Sequence, residues 1–257
     1  MKEYQKINTI FKRDVNNIIM PYAGLVKPEL EWLRNCKFDA TEKIDGTNIS
    51  LQLVPQLHYG DYCTYVEYSL EYHGKTANAN IPAHLLEYLK ENYTEEMVLK
   101  ALGVEKKIVF DIDEHVFLDK YPIYAIYGEG YGVKIQKGGN YIKDGVGFII
   151  FDVKVGDWWL KRENMEDVAA KLGAPVVPYM GQFTIDEAIE FVKKGFKSTI
   201  AENKDYDAEG LVLKSPCGIL FRNGERICFK VKTCDFVKYK NKYGDGIVAQ
   251  EENPKYV

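Results

Sequence analysis

The sequence predicts an α+β fold with mainly antiparallel sheets flanked by helices. Three observations predict it. Several segments alternate apolar and polar residues with period two. Others repeat apolar residues at i, i+3, i+4 and i+7. The two kinds interleave without the regular strand–helix–strand rhythm that a doubly wound parallel fold needs.

The first alternating segment is 63–72, where Val66, Tyr68, Leu70 and Tyr72 share one face and Glu67, Ser69 and Glu71 the other. Residues 82–92 read as a helix entered through Pro82, whose fixed φ suits a helix start. In 147–154, Ile149, Phe151 and Val153 oppose Phe148, Ile150 and Asp152. Met165, Val168, Ala169 and Leu172 then recur at helical spacing, with Gly173 placed to cap the C-terminus. Ile185, Ala188, Ile189 and Val192 repeat the pattern, and Thr184 followed by Glu187 forms a capping box before them. In 227–232, Ile227, Phe229 and Val231 oppose Cys228, Lys230 and Lys232.

The 257 residues suffice for one large domain or two small ones. No repeat, low-complexity stretch or long Pro/Gly/Ser linker divides them. One continuous domain over 1–240 and a short tail over 241–257 are therefore expected. Hydrophobic content of 46% and charged content of 28% exclude a disordered chain. No apolar run approaches the ~20 residues that span a bilayer, and the N-terminus lacks the apolar core of a secretory signal, so no membrane association is expected. The five cysteines are scattered, odd in number and without a CxxC pair. They read as reduced thiols in a cytoplasmic setting rather than a zinc site. Net charge is −4, so nucleic-acid contact would have to use a local basic patch. Lys238, Lys240 and Lys242, interleaved with Tyr239 and Tyr243, form either such a patch or a solvated charged face.

Four short segments carry residue types suited to phosphate chemistry. Thr41–Asn48 reads T-E-K-I-D-G-T-N, with Lys43 between strand-like residues and Gly46 where the chain must turn or approach something closely. Lys230 and Lys232 lie on one face of a strand whose other face is apolar, and two such cations repel unless an anion lies near them. Glu209 and Lys214 bracket a short apolar strand. Tyr127–Gly132 sets three alternate glycines around Glu129, as a loop or a close backbone approach. Each segment alone has a plain structural explanation.

In order along the chain they read K-x-D-G, G-K-T, Y-G-E-G, F-D-V, E-G-L-V-L-K and K-V-K. This set resembles that of the covalent nucleotidyltransferases, the polynucleotide ligases and capping enzymes. Within them, TEKIDGTNIS (41–50), YGEGYGVKIQKG (127–138), GFIIFDVKVGDWW (147–159), AEGLVLK (208–214) and FRNGERICFKVK (221–232) are similar to the phage-type nick-sealing RNA ligases, the RNA ligase 2 family. The resemblance spans roughly residues 30–240. It implies an ATP-grasp-like ligase adenylation domain and an ATP-dependent enzyme joining a 5′-phosphate RNA end to a 3′-hydroxyl, in RNA repair. The enzyme would be a cytoplasmic monomer, with a phage origin one setting, acting on nicked duplex or single-stranded RNA.

The resemblance also assigns roles. Lys43 is the nucleophile that takes AMP from ATP. Lys230 and Lys232 contact the α-phosphate. Glu209 helps place a divalent metal, magnesium or its substitute manganese. Glu42 lies near the adenine edge, and Ile44 beside it in the nucleotide site. Asn48 lies near the reacting phosphates, Glu129 contacts the ribose hydroxyls, and Lys214 lies near the phosphates. Phe151 stacks on adenine, with Phe148 in reserve and a plain core role as its alternative. Lys75 stands where the family usually has arginine, giving up that residue's bidentate fork. Only 25 residues follow Lys232, where larger nick-sealing relatives carry a helical domain. The competing readings are a DNA ligase, a capping guanylyltransferase, and a degenerate module that binds RNA without catalysis.

Overall fold

The computed structural model describes residues 3–76, 79–111, 117–136 and 139–244. They form two compact units. The first contains Asp45–Val177 with Tyr4 from the N-terminus, and the second contains Gln5–Ile44 and the chain from Pro178 onward.

The first unit is built on a six-stranded sheet. Its strands are β3 (Thr47–Tyr59), β4 (Cys63–His73), β5 (Lys107–Asp111), β6 (Tyr124–Gly132), β7 (Val146–Val155) and β8 (Trp158–Trp159), in the order β5-β4-β3-β6-β7-β8 with every neighbour antiparallel. Three helices, α2 (Ala83–Asn92), α3 (Glu95–Leu102) and α4 (Arg162–Leu172), pack on one face. Ile49, Leu51 and Leu53 of β3, Tyr68 of β4, Ile126 of β6 and Phe148, Ile150 and Val153 of β7 meet them in one apolar cluster. The alternate residues of β3 (Asn48, Ser50 and Gln52) therefore face away from that cluster.

The second unit has a five-stranded sheet, ordered β1-β11-β10-β2-β9. Its strands are β1 (Asn8–Thr9), β2 (Phe38–Lys43), β9 (Tyr179–Phe183), β10 (Gly210–Lys214) and β11 (Cys228–Lys232). All pairings are antiparallel except β1 with β11. Phe38, Ala40, Leu211, Leu213, Phe229 and Val231 form its apolar face, covered by Ile185, Ala188, Ile189 and Val192 of α5 (Ile185–Lys194) and by Tyr239 of α6 (Thr233–Tyr243). A four-residue helix, α1 (Glu29–Trp32), contributes Leu30.

The α+β class and the antiparallel pairing are as expected. The Thr184–Glu187 capping box is present in both directions, and Gly173 caps α4 in the left-handed conformation with φ 67°. Two details differ. The β6–β7 register shifts between Tyr127 and Gly128, so Gly128 pairs with Ile150, Tyr127 pairs with Asp152, and Phe151 is the extra residue of a bulge. Strict alternation fails there, and Phe148, Ile150 and Val153 share the core side. The glycines around Glu129 also serve the protein's own core. A Cβ on Gly128 would sit 2.4 Å from the Phe148 ring, and one on Gly130 would sit 2.5 Å from Leu85. Position 241, where the tail was expected to begin, lies inside α6, and residues 245–257 lie outside the described residues. Among the described residues no helix is long and apolar enough to cross a membrane.

Candidate active site

Register places the candidate residues of the second unit. Lys43 is the last residue of β2 and pairs with Gly210 of β10, which pairs on its other side with Lys232 of β11. Lys43 and Lys232 thus flank a residue without a side chain. A Cβ at Gly210 would lie 2.0 Å from the Val231 carbonyl oxygen, and its φ of +149° disfavours any L side chain. Glu209, just before it, fills the space. One carboxylate oxygen lies 2.6 Å from the Lys43 ammonium and the other 2.6 Å from that of Lys232. The Lys43 ammonium also donates to the Ile44 carbonyl at 3.3 Å, and Ile44 itself is buried.

The next row across the sheet is Thr41, Val212 and Lys230, and the one after is Asp39, Lys214 and Cys228. Period two puts Lys43, Lys214, Lys230 and Lys232 on one face, opposite the apolar face of the same strands. Four cations on one face, two of them joined by Glu209 and with Asp39 paired to Lys214 at the far row, form a surface suited to a polyanion. Burial works against the charged form of Lys232, but the adjacent Glu209 carboxylate outweighs it and holds the ammonium above its ordinary value.

Glu42 has the opposite parity and is 1% exposed. Its carboxylate accepts three hydrogen bonds, from the Ser198 hydroxyl at 2.5 Å, the Thr199 amide at 2.9 Å and the Thr199 hydroxyl at 2.6 Å. Sequence reasoning missed Ser198 and Thr199. They lie more than 150 residues away in an unremarkable loop, and no spacing signal points to them.

Within the first unit, β3–β6 pairing sets Asn48 directly opposite Glu129, and β6–β7 pairing sets Ile149 beside Glu129. Asn48 and Glu129 are half-buried on the face turned away from the apolar cluster. Gly46 lets the chain enter this face, since a Cβ there would be 2.3 Å from the Gly130 carbonyl oxygen. Phe151, at the bulge, is half-buried, with the Tyr4 ring edge-on at 5.0 Å. Tyr4 also meets Tyr127 and Trp159 and donates from its hydroxyl to Asp152. Phe148 is fully buried against Tyr93 and Gly128, which removes it as a reserve stacking residue. Lys75 follows β4, is exposed, and makes no hydrogen bond or ion pair among the described residues. Lys137 and Gly138 of the 127–138 segment lie outside them.

A family model described as RNA ligase matches residues 37–232, well over half of the chain. No curated sequence matches. Solved structures of an RNA ligase from Naegleria gruberi are similar in fold. A mutant with ATP and manganese is 18% identical with a TM-score of 0.51, covering 93% of this chain and 58% of its own. A mutant with AMP and manganese is 18% identical with a TM-score of 0.51, covering 95% and 60%. A form with pyrophosphate is 17% identical with a TM-score of 0.50, covering 96% and 65%. The chain thus spans about three-fifths of the length of these structures, and at such identities the likeness is one of fold. The family model covers Glu209 and both strands that carry Lys43, Lys230 and Lys232, and the chain belongs to the RNA ligase family.

Proposed function

We propose that the protein is an ATP-dependent RNA ligase that adenylates itself on Lys43. One observation carries the reading: Glu209 joins Lys43 and Lys232 at 2.6 Å each, on a sheet face that also bears Lys214 and Lys230. The Lys43 nitrogen lone pair attacks the α-phosphorus of ATP. The ammonium gives up one proton to free that lone pair, the N–P bond forms as the bond to the β-phosphate oxygen breaks and pyrophosphate leaves, and the nitrogen sheds a second proton as the phosphoramidate forms, both protons passing to solvent. Lys230 and Lys232 supply positive charge where the α-phosphate gains negative charge, and Lys214 supplies it to the departing pyrophosphate. Glu209 holds the Lys43 ammonium before nucleotide arrives, so the nucleophile is already oriented.

Among the described residues no three His, Cys, Asp or Glu side chains gather to hold a metal, so magnesium, or manganese as found with the Naegleria enzyme, would take Glu209 together with the phosphate oxygens of the nucleotide. When bound, such an ion neutralises phosphate charge and orients the leaving group. Asn48 and Glu129, paired across β3 and β6, are proposed to meet phosphate and ribose, and Phe151 the adenine ring. The backbone of Glu42 and Ile44 is proposed to border the nucleotide site, their side chains being buried, and Lys75 to act as a point charge in place of arginine. AMP then passes to the 5′-phosphate of an RNA end, and a 3′-hydroxyl displaces it. A nicked duplex is the proposed substrate, with single-stranded ends as the alternative, in RNA repair. Residues 1–240 are proposed to act as one adenylation module. The Lys238–Tyr243 stretch of α6, in which Lys242 pairs with Asp14 at 2.8 Å, is proposed to help hold the 5′-phosphate end. A monomeric cytoplasmic protein is proposed, in keeping with five free cysteines.

Incubation with magnesium and ATP labelled at the α-phosphate tests this. The wild type should carry label after denaturation and Lys43→Ala should carry none. An unlabelled wild type, with GTP run in parallel, would overturn the proposal.

A further inference from the structure

The connection from α5 to β10 is 15 residues long, Gly195 to Glu209. Connections of that length without regular structure usually have a function. This one folds back on itself. Ser198 donates from its amide to the Tyr206 carbonyl at 2.9 Å, and Ala208 donates to the Phe196 carbonyl at 2.9 Å. Lys197 and Asp207 form an antiparallel bridge and an ion pair at 2.7 Å. The two ends of this closed loop grip the same dipeptide. Ser198 and Thr199 hold the Glu42 carboxylate, and Glu209 holds the Lys43 ammonium. Consecutive strand residues point to opposite faces, so the loop holds Glu42–Lys43 from both sides of the sheet. The far end is fixed as well, because Thr233 donates from its amide to the Glu209 carbonyl at 2.9 Å.

We infer that Ser198 and Thr199 are positioning residues for the nucleophile. By fastening the loop to Glu42 they fix where Glu209 meets Lys43, and hence where the Lys43 nitrogen stands for attack. This rests on the adenylation of Lys43 proposed above. The hydroxyls touch no reacting atom. Their effect passes through the backbone of β2 and through the loop, and a small misplacement of a nucleophile costs up to about a hundredfold in rate.

The test is single-turnover self-adenylation of wild type, Ser198→Ala, Thr199→Val, the double variant and Thr199→Ser, over a range of ATP concentrations and well below each Tm. The double variant should lose about tenfold or more in the maximal rate constant, with its half-saturating ATP within about threefold of wild type. Thr199→Ser, which keeps the hydroxyl, should return most of the rate lost in Thr199→Val. Should the double variant not fold, the two single variants carry the same comparison. A full maximal rate in Thr199→Val and Ser198→Ala would overturn the inference, as would a change confined to half-saturating ATP. An unlabelled wild type would instead sink the adenylation reading itself, so the two failures are distinct.

Discussion

Glu209 is the residue on which the second unit's site turns. It bridges two lysines that would otherwise repel across Gly210, offsetting one of their two charges. Removing its charge while keeping its shape, as in Glu209→Gln, should abolish labelling of Lys43 or reduce it at least a hundredfold. Gly210→Ala tests the same geometry from the backbone. A left-handed φ and a Cβ 2.0 Å from a carbonyl oxygen predict a loss of more than about 1 kcal/mol, seen as a lower Tm. The Lys232 ammonium adds a pH signature. Its value in the folded protein is raised above the ordinary 10.5. The stability it contributes is therefore fully present below that pH and fades as pH climbs through the raised value. The Tm difference between wild type and Lys232→Met should hold steady from neutral pH to about pH 9 and shrink beyond about pH 10.5.

At the scale of elements, the two phenylalanines of β7 separate packing from binding. Phe148 is fully buried under Gly128, and Phe148→Ala should cost about 3–5 kcal/mol in chemical denaturation. Phe151 stands at the bulge and is half-buried, so Phe151→Ala should cost less stability and raise half-saturating ATP instead. Period-two reading of 147–154 found the strand but could not find the bulge. One inserted residue changes no residue type, and only pairing with β6 reveals it. The strand bearing Lys230 and Lys232 was legible because its apolar face is unbroken. Helix α5 was legible for a local reason too, since both halves of its capping box lie within four residues. The Ser198–Glu42 contact joins residues 156 apart in the chain and leaves no local trace. The three glycines around Glu129 signalled a close approach or a loop without saying to what. Only packing shows that Phe148 approaches Gly128, Leu85 approaches Gly130 and the Gly145 carbonyl approaches Gly132.

At the scale of the whole chain, the division into two units is itself a consequence of how the apolar residues are spent. The cluster of β3, β4, β6, β7 and helices α2–α4 draws all its residues from 49–174. The cluster of the second unit draws on 10–40 and on 185–239, so it needs two separated stretches of chain. Sequence reading expected one continuous domain because no flexible linker marks the crossings at Ile44–Asp45 and Val177–Pro178, and strand β2 runs to within two residues of the first. The consequence is asymmetric. A fragment of residues 45–177 carries a complete apolar cluster and all six strands of its sheet. At 133 residues, taken as 177 − 45 + 1, it is large enough to bury an independent core. It should show native-like circular dichroism and a single cooperative thermal transition. A fragment ending at Ile44 carries Lys43 and β2, but none of β9, β10 or β11. It should stay unfolded until residues 178–244 are supplied in trans. Cooperative melting of the 45–177 fragment beside a disordered 5–44 fragment would place the folding boundary at the residue after the Glu42–Lys43–Ile44 segment. An unfolded 45–177 fragment would show instead that its cluster depends on contacts supplied by the rest of the chain.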